Sequence, residues 1–516
     1  MPFRPRSILL ALSLAGTAVC ASATPVAAPA AIAPEKETPV TPVPAPAAWL
    51  DDLEALYDSD LRVDGLEQRT FSPEHWWQRV MPLIDGADGF LIEEIGRSAE
   101  GRPLRHVAWG EGPTPVLLWS QMHGDESTAT MALADLLHFL GAHPDHPLVA
   151  RLRENTALHF FPLVNPDGAA RFQRRNAQGI DINRDARALA TPEGRTLKAL
   201  RDRIKPDFGF NLHDQRPGYR AGDSDRGVAI ALLAPPFDEA RGINPVRRRA
   251  MEVAAVMRVA LEPRIGGHMA RWDDTFNPRA FGDMMTAWGT STVLVESGGI
   301  EGDPEKQAVR RLNFLGLAAA LDAIATGTYQ GTPTGLYTGL PENGSVWPDL
   351  KITGATLAIP GTQPARADVV VDFRHALAGR DGRIRDIGDL ADAPARRVID
   401  ATGLFIVPLT DASKGTPAAF ATGVPARFAL SSDPDGQDIV WILDRDAPPG
   451  LLQPDAGLTP GAARTPRQAA PVQWPGAHPP ARPGHPGSTG HPDRDPPPAP
   501  AANAAAVFPT GSWAAR

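Results

Sequence analysis

Val116–Leu140, VLLWSQMHGDESTATMALADLLHFL, is the stretch on which the rest of the chain turns. Its opening residues, Val116-Leu117-Leu118-Trp119, form a short apolar run bounded by Pro115 and polar residues, which predicts a buried strand. Its second half sets Leu133, Leu136, Leu137 and Leu140 on one stripe of a helix entered through Ser127 and Thr128, both good N-cap residues. Between strand and helix, Gly124 leaves room for the chain to turn, and His123 and Glu126 flank it. An imidazole and a carboxylate so spaced can converge on one cation. Alone, a His-x-x-Glu pair is common and carries little.

Three further strand endings raise its meaning. Leu158–Val164 is apolar and ends in the turn Asn165-Pro166-Asp167-Gly168; Phe208–Leu212 leads straight into His213; Thr292–Val295 leads into Glu296-Ser297-Gly298-Gly299. Strands alternate with helical patterns from about Phe90 to Thr328, which predicts an α/β fold with a mixed, mostly parallel sheet flanked by helices. Such sheets bind ligands at the carboxyl ends of their strands. Two histidines and two glutamates at those ends, with no packing role, make His123, Glu126 and His213 an open His2Glu zinc site, with Glu296 left over as a base. The other histidines fit less well. His106 and His159 lie inside strands, His138 in a helix, His143 and His146 in a Pro-rich loop, and His75, His268 and His375 lack partners at ligand spacing.

Between Asn165 and Asp185 the sequence, NPDGAARFQRRNAQGIDINRD, resembles the zinc carboxypeptidases, metallocarboxypeptidases of the funnelin type. The likeness extends through GRSAEGRPL (96–104), HGDE (123–126), LHDQ (212–215) and VESGG (295–299), over roughly residues 71–328. It implies one zinc per chain held by His123, Glu126 and His213, with Glu296 activating water. It also implies that Asn183 and Arg184 grip a substrate's terminal carboxylate and that Arg174, with Arg175 in reserve, faces the scissile carbonyl. The chemistry suits these roles: a three-ligand zinc keeps a position for water, and a guanidinium is built for bidentate capture of a carboxylate. Without the flanking motifs, the three arginines would read as a solvated basic face. The sequence departs from the family twice. Asp185 follows Arg184 and can compete for its guanidinium, and the stretch of residues 275–296 leading to Glu296 holds no tyrosine to cap the substrate. Phe276, Asn277, Arg279 and Phe281 are there instead, while Tyr57, Tyr219, Tyr329 and Tyr337 fall elsewhere.

The remainder of the chain frames this region. There are 51 Lys and Arg against 60 Asp and Glu, with no long basic run, which argues against nucleic acid as a partner. Arg4 and Arg6 precede an apolar run from Ile8 to Val19 and then Ala21-Ser22-Ala23, the pattern of a cleaved signal peptide over residues 1–23. The run is too short for stable membrane insertion, so the expected destination is the periplasm or the medium. Cys20, the only cysteine, lies in that leader, so any metal must rest on His and carboxylates. Residues 24–48 read as a disordered linker and 49–330 as the catalytic domain, with a helix opening at Ser72-Pro73-Glu74 and a closing helix over 304–325. Residues 335–445, with short β-prone runs broken by Gly and Pro, read as a small β-rich domain. Its KITGATLAIPG resembles the β subdomain of amidohydrolases, but no His-x-His motif follows, so no second active site is expected there. Residues 446–516 read as a Pro/Ala/Gly-rich disordered tail.

The expected function is therefore an exported metallocarboxypeptidase that takes peptides with a free C-terminus. The alternatives are a zinc deacylase or amidohydrolase acting on N-acyl amino acids or cell-wall peptides, and a non-catalytic binding relative.

Overall fold

Apolar runs without polar interruption need cover on both faces, and the first sheet provides it. In a computed structural model describing residues 48–411, 415–444 and 447–451, that sheet has eight strands. They are β1 (Phe90–Arg97), β2 (Pro103–Trp109), β3 (Thr114–Ser120), β4 (Thr156–Phe161), β5 (Phe208–Asp214), β7 (Ile230–Leu233), β8 (Met269–Arg271) and β9 (Ser291–Ser297), with β6 (Tyr219–Ala221) outside it. Their order is β1-β2-β4-β3-β5-β9-β7-β8, and β4, β3, β5 and β9 run parallel at the centre. The expected signal peptide and linker, and all of the expected tail beyond Leu451, lie outside the described residues.

Ten α-helices accompany the sheet among the described residues: α1 (Trp49–Leu56), α2 (Pro73–Ile84), α3 (Thr128–Ala142), α4 (Pro147–Asn155), α5 (Pro166–Ala170), α6 (Pro192–Ile204), α7 (Pro245–Ile265), α8 (Phe281–Ala287), α9 (Gln307–Thr326) and α10 (Gly335–Thr338). Leu117 and Trp119 of β3 pack with Leu197 and Leu200 of α6 and Phe281 and Met285 of α8. Val116 and Leu118 point the other way, toward the layer in which α3 and α7 pack on α9. Several helices open with proline at N1, and Ser72, Asn165, Thr191 and Asn244 cap theirs with a side-chain bond.

Some local expectations differ from the outcome. Asn165-Pro166-Asp167-Gly168 is not a bare turn but the capped start of the one-turn helix α5. Ser127 sits at the N-cap position of α3 without capping it; its hydroxyl donates to the Arg69 carbonyl at 2.5 Å. Helix α3 is buried nearly all round rather than along one stripe, because it is enclosed by β5, α2 and α9.

The first residues of this region are tied to its end by a buried ion pair. Arg310 of α9 and Asp135 of α3 meet at 2.5 Å, both fully buried. Asp135 also accepts from the Tyr57 hydroxyl and the Val63 amide, each at 2.9 Å, and Arg310 donates to the carbonyls of Val63 and Leu66.

The β-prone runs after residue 340 build a second sheet. Its strands are β11 (Leu350–Leu357), β12 (Ala365–His375), β13 (Arg380–Gly388), β14 (Arg397–Asp400), β15 (Phe405–Pro408), β18 (Phe428–Ser431), β19 (Ile439–Asp444) and β20 (Ala447–Leu451), in the order β13-β12-β11-β15-β18-β19-β20, with β14 also on β11. Ile352, Val371, Ile406, Phe428, Leu430 and Leu443 lie in its core. Strands β16 (Thr410–Asp411) and β17 (Thr416–Pro417) make a small ribbon of their own. Strand β10 (Asn343–Val346) pairs with β6, so the two regions are stitched together within one compact unit. Among the described residues no helix is long and apolar enough to cross a membrane.

Candidate active site

Strands β3, β5 and β9 lie side by side, and their carboxyl ends bring together residues far apart in sequence. Register sets His213 level with Glu296 on the neighbouring strand. His123 and Glu126 come from the β3–α3 loop. Gly124 is required there by close approach: a Cβ would lie inside the backbone of Gly168 and Ala169. The expected reason, freedom to turn, belongs instead to Gln121, which carries the positive φ of 51°. Lys306 (φ 53°), whose ammonium reaches the Ser297 carbonyl at 2.9 Å, and Phe172 (φ 47°), which lines the cavity, are the other left-handed residues near the site. Such conformations cost of order 1–3 kcal/mol and persist only where the surroundings fix them.

One side chain aligns two of the loops. Asn165 Oδ1 accepts from the Gly168 amide at 2.9 Å, and its Nδ2 donates to the carbonyls of Met122 (3.3 Å) and Arg174 (3.2 Å). The loop bearing His123 and the loop bearing Arg174 thus hang from the same amide. Asp167 fastens the β1–β2 turn in the same way, accepting from Ser98 Oγ at 2.8 Å, the Glu100 amide at 3.0 Å and Arg102 at 2.7 Å.

His123, Glu126 and His213 are all buried, and their ligand atoms lie within 4.8 Å of one another. Nδ1 of His123 is 2.7 Å from Glu126 Oε1, and Nδ1 of His213 is 2.7 Å from Glu126 Oε2. The far nitrogen of His123 meets Asp181 Oδ1 at 3.0 Å. A carboxylate behind an imidazole fixes its orientation and leaves the opposite nitrogen as the ligand. Burial opposes a charge on His123, but Glu126 and Asp181 outweigh it and hold its pKa at about 9. Burial lowers that of His213. Glu126 stays well below the usual carboxylate range despite its burial, because both histidines face it. Glu296 is pushed well above that range by burial and then by Glu126. Its Oε2 is buried and has no hydrogen-bond partner among the described residues. Two imidazoles, one carboxylate and an unpartnered second carboxylate suit a zinc ion with a neighbouring base.

The arginines divide. Arg174 grips Asp181 through Nε (3.1 Å) and Nη2 (3.0 Å), and its Nη1 reaches Glu126 Oε1 at 3.1 Å and His123 Nδ1 at 3.0 Å. Arg184 lines the same cavity and donates one bond, to the Asn183 carbonyl at 2.7 Å. Asn183 also lines it, but its Oδ1 accepts from the Phe281 amide at 2.9 Å, so it fastens the start of α8 as well. Arg175 is elsewhere: it is exposed and donates to the Gly179 carbonyl at 3.0 Å, outside the cavity lining. Asp185 does not compete for Arg184. It accepts from the amides of Ala190 and Thr191 at 2.8 Å each and from the Thr191 hydroxyl at 2.7 Å, bracing the entry to α6.

The cavity encloses about 640 Å³, within the usual range for small-molecule and peptide sites. Sequence reasoning missed several of its walls. Tyr219 on β6 folds over to line it, with its ring 5.2 Å from Trp272, so a phenol stands near Glu296 although none lies just upstream of it in sequence. Burial, with Glu296 adding to it, raises that phenol's pKa. Asp283 lines the cavity too, and burial pushes its pKa up to about 6. Asp181 stood inside the quoted NAQGIDINRD segment, and only its spacing to His123 in space gives it a role.

Parts of the chain are similar to known proteins. Residues 89–211, which contain His123, Glu126, Arg174, Asn183 and Arg184, match the family model Peptidase_M14, zinc carboxypeptidase. Carboxypeptidase 2 of Trichophyton equinum is 33% identical over 191 residues, 36% of this chain and 33% of that protein. An uncharacterised Zymomonas mobilis protein is 31% identical over 139 residues, 26% of this chain and 36% of that protein. The chain thus matches about a third of the length of these curated relatives. Among solved structures, a metallo-carboxypeptidase from Burkholderia cenocepacia aligns over 51% of this chain and 71% of that one, at 19% identity and a TM-score of 0.42.

Proposed function

We propose that this chain, whose residues 89–211 match the zinc carboxypeptidase family model, is a zinc-dependent carboxypeptidase that removes residues from the free C-terminus of peptides. The observation that carries the reading is the convergence of His123, Glu126 and His213 within 4.8 Å, with Glu296 level with His213 on the next strand. Zinc held by those three residues supplies Lewis acidity at the scissile carbonyl. Glu296, kept from other partners, takes the proton from the attacking water and returns it to the leaving amine. Arg174, fixed by Asp181 beside the ligands, faces charge developing on the carbonyl oxygen. Arg184, with one donor engaged and the rest toward the cavity, anchors the terminal carboxylate, with Asn183 beside it. Export to the periplasm or medium, carried by the leader pattern at residues 1–23, belongs to the same proposal.

The test is hydrolysis of matched peptides by the purified chain, with release of single C-terminal residues followed by mass spectrometry. Chelation should abolish release and added zinc restore it. Release from N-acyl amino acids but from no peptide would shift the assignment to a deacylase. Cleavage unaffected by chelation would end the zinc reading.

A further inference from the structure

The cavity around Glu296 is not walled by the first sheet region alone. Phe373, Arg374, His375 and Ala376, at the end of β12 in the second sheet, also line it. Three ties hold this corner in place. The ring of His375 stacks on Phe172 at 6.2 Å and 15°, and the Arg69 guanidinium lies 5.4 Å from the same Phe172 ring. Asp349 accepts from the Phe373 amide at 2.8 Å and from Arg396 at 2.9 Å, and Arg396 reaches on to Glu301, just past the Glu296 loop, at 2.8 Å. Leu377 lies against Gly299 in that loop, where a Cβ would come within 3.1 Å of both its methyl groups. The space left between this hairpin and the segments at Gln68–Thr70 and Pro304–Glu305 is about 30 Å³, room for a water or two. The second sheet therefore forms one side of the cavity rather than standing apart from it.

The cavity's dimensions limit what can lie against that side. A volume of about 640 Å³ corresponds to a sphere about 11 Å across, and extended chain advances about 3.3–3.6 Å per residue. A segment of about three residues spans that distance. The corner near Arg184 is built from α8 and its lead-in, whereas the corner at His375 is built from Phe172, Arg69 and β12. We infer that Arg374 and His375 at the end of β12 form the wall that stops the upstream end of a bound peptide, making the enzyme selective for di- and tripeptides over longer chains. The inference rests on the proposed carboxypeptidase reading and names its substrate class.

The experiment uses the full zinc-loaded chain and a peptide ladder of two to ten residues with a shared set of C-terminal residues, comparing kcat/KM for tripeptide and octapeptide. The wild type should favour the tripeptide by at least ~10-fold, the lower end of steric discrimination in a pocket. The double variant Arg374→Ser/His375→Ser, which removes two side chains outside the second sheet's core, should bring the octapeptide-to-tripeptide ratio close to unity. A wild type that cleaves both lengths equally overturns the inference and leaves the carboxypeptidase reading standing, whatever the fate of the variant. A folded variant with an unchanged ratio shows that the limit lies elsewhere and overturns it too. A wild type that hydrolyses no peptide of any length overturns both.

Discussion

Arg184→Ala tests the proposed C-terminal anchor. A guanidinium has five N–H donors in a fixed fork, and Arg184 commits one of its groups to the Asn183 carbonyl at 2.7 Å while lining the cavity. Enough donors remain for a carboxylate held through two bonds. Truncating one partner of a buried charged pair costs about 2–5 kcal/mol, but Arg184 is only partly buried, and water screens part of the interaction. The lower half of that span, about 2–3.5 kcal/mol, corresponds to roughly 30- to 300-fold in kcat/KM. The assay pairs one peptide as its free acid and as its C-terminal amide. Wild-type enzyme should prefer the acid by that factor. The variant should lose most of its rate on the acid, little on the amide, and nearly all of the preference. Arg184→Lys should recover only part of it, since an ammonium is a point charge without the fork. Equal loss on acid and amide would refute the anchor, as would a wild type indifferent to amidation.

Glu296→Gln should keep stoichiometric zinc, measured by atomic absorption, while losing at least ~10²-fold in turnover, the scale for a positioned base; loss of the metal would make Glu296 a ligand instead. Zinc binding at pH 7 should release about one proton, because His123, held at about 9, is protonated in the metal-free chain while burial keeps His213 neutral. Affinity should accordingly climb about tenfold per pH unit toward pH 9, and calorimetry in two buffers of different ionisation enthalpy reads the proton directly. Arg310→Met leaves Asp135 buried with its charge unpaired and should cost about 3–5 kcal/mol in denaturant unfolding, much of it recovered in the Asp135→Leu/Arg310→Met double variant. Asp185→Ala strips the acceptor from two amides and a hydroxyl, and should destabilise by about 1–3 kcal/mol while leaving the acid-to-amide preference in place. A changed preference would mean that Asp185 does act on Arg184.

The convergence of His123, Glu126, His213 and Glu296 was legible because each stands where an apolar strand stops, and parallel pairing of β3, β5 and β9 turns those stops into one place. Asn183, Arg184 and Arg174 were legible only through the resemblance, since no periodicity marks a loop residue as facing a cavity. What escaped reading depends on contacts across long separations. Asp185 looked like a rival for its neighbour, yet its carboxylate is claimed by Thr191, six residues on. Tyr219 looked remote, and the pairing of β6 with β10, with the Val228 amide donating to its carbonyl, carries it over the site. Gly124 looked like a turn residue, whereas the constraint is the backbone of Gly168 pressed against it. The β-rich region showed its strands in its composition, but nothing in it showed that His375 would meet Phe172.

The shared suspension of two loops from Asn165 has a mechanical meaning. Because Met122 and Arg174 are bonded to one rigid amide, thermal displacement of either loop drags the other with it. Their excursions are correlated, so the interval between His123 and the Arg174 guanidinium beside it fluctuates less than the position of either. The site can then drift relative to the sheet without its internal spacings loosening.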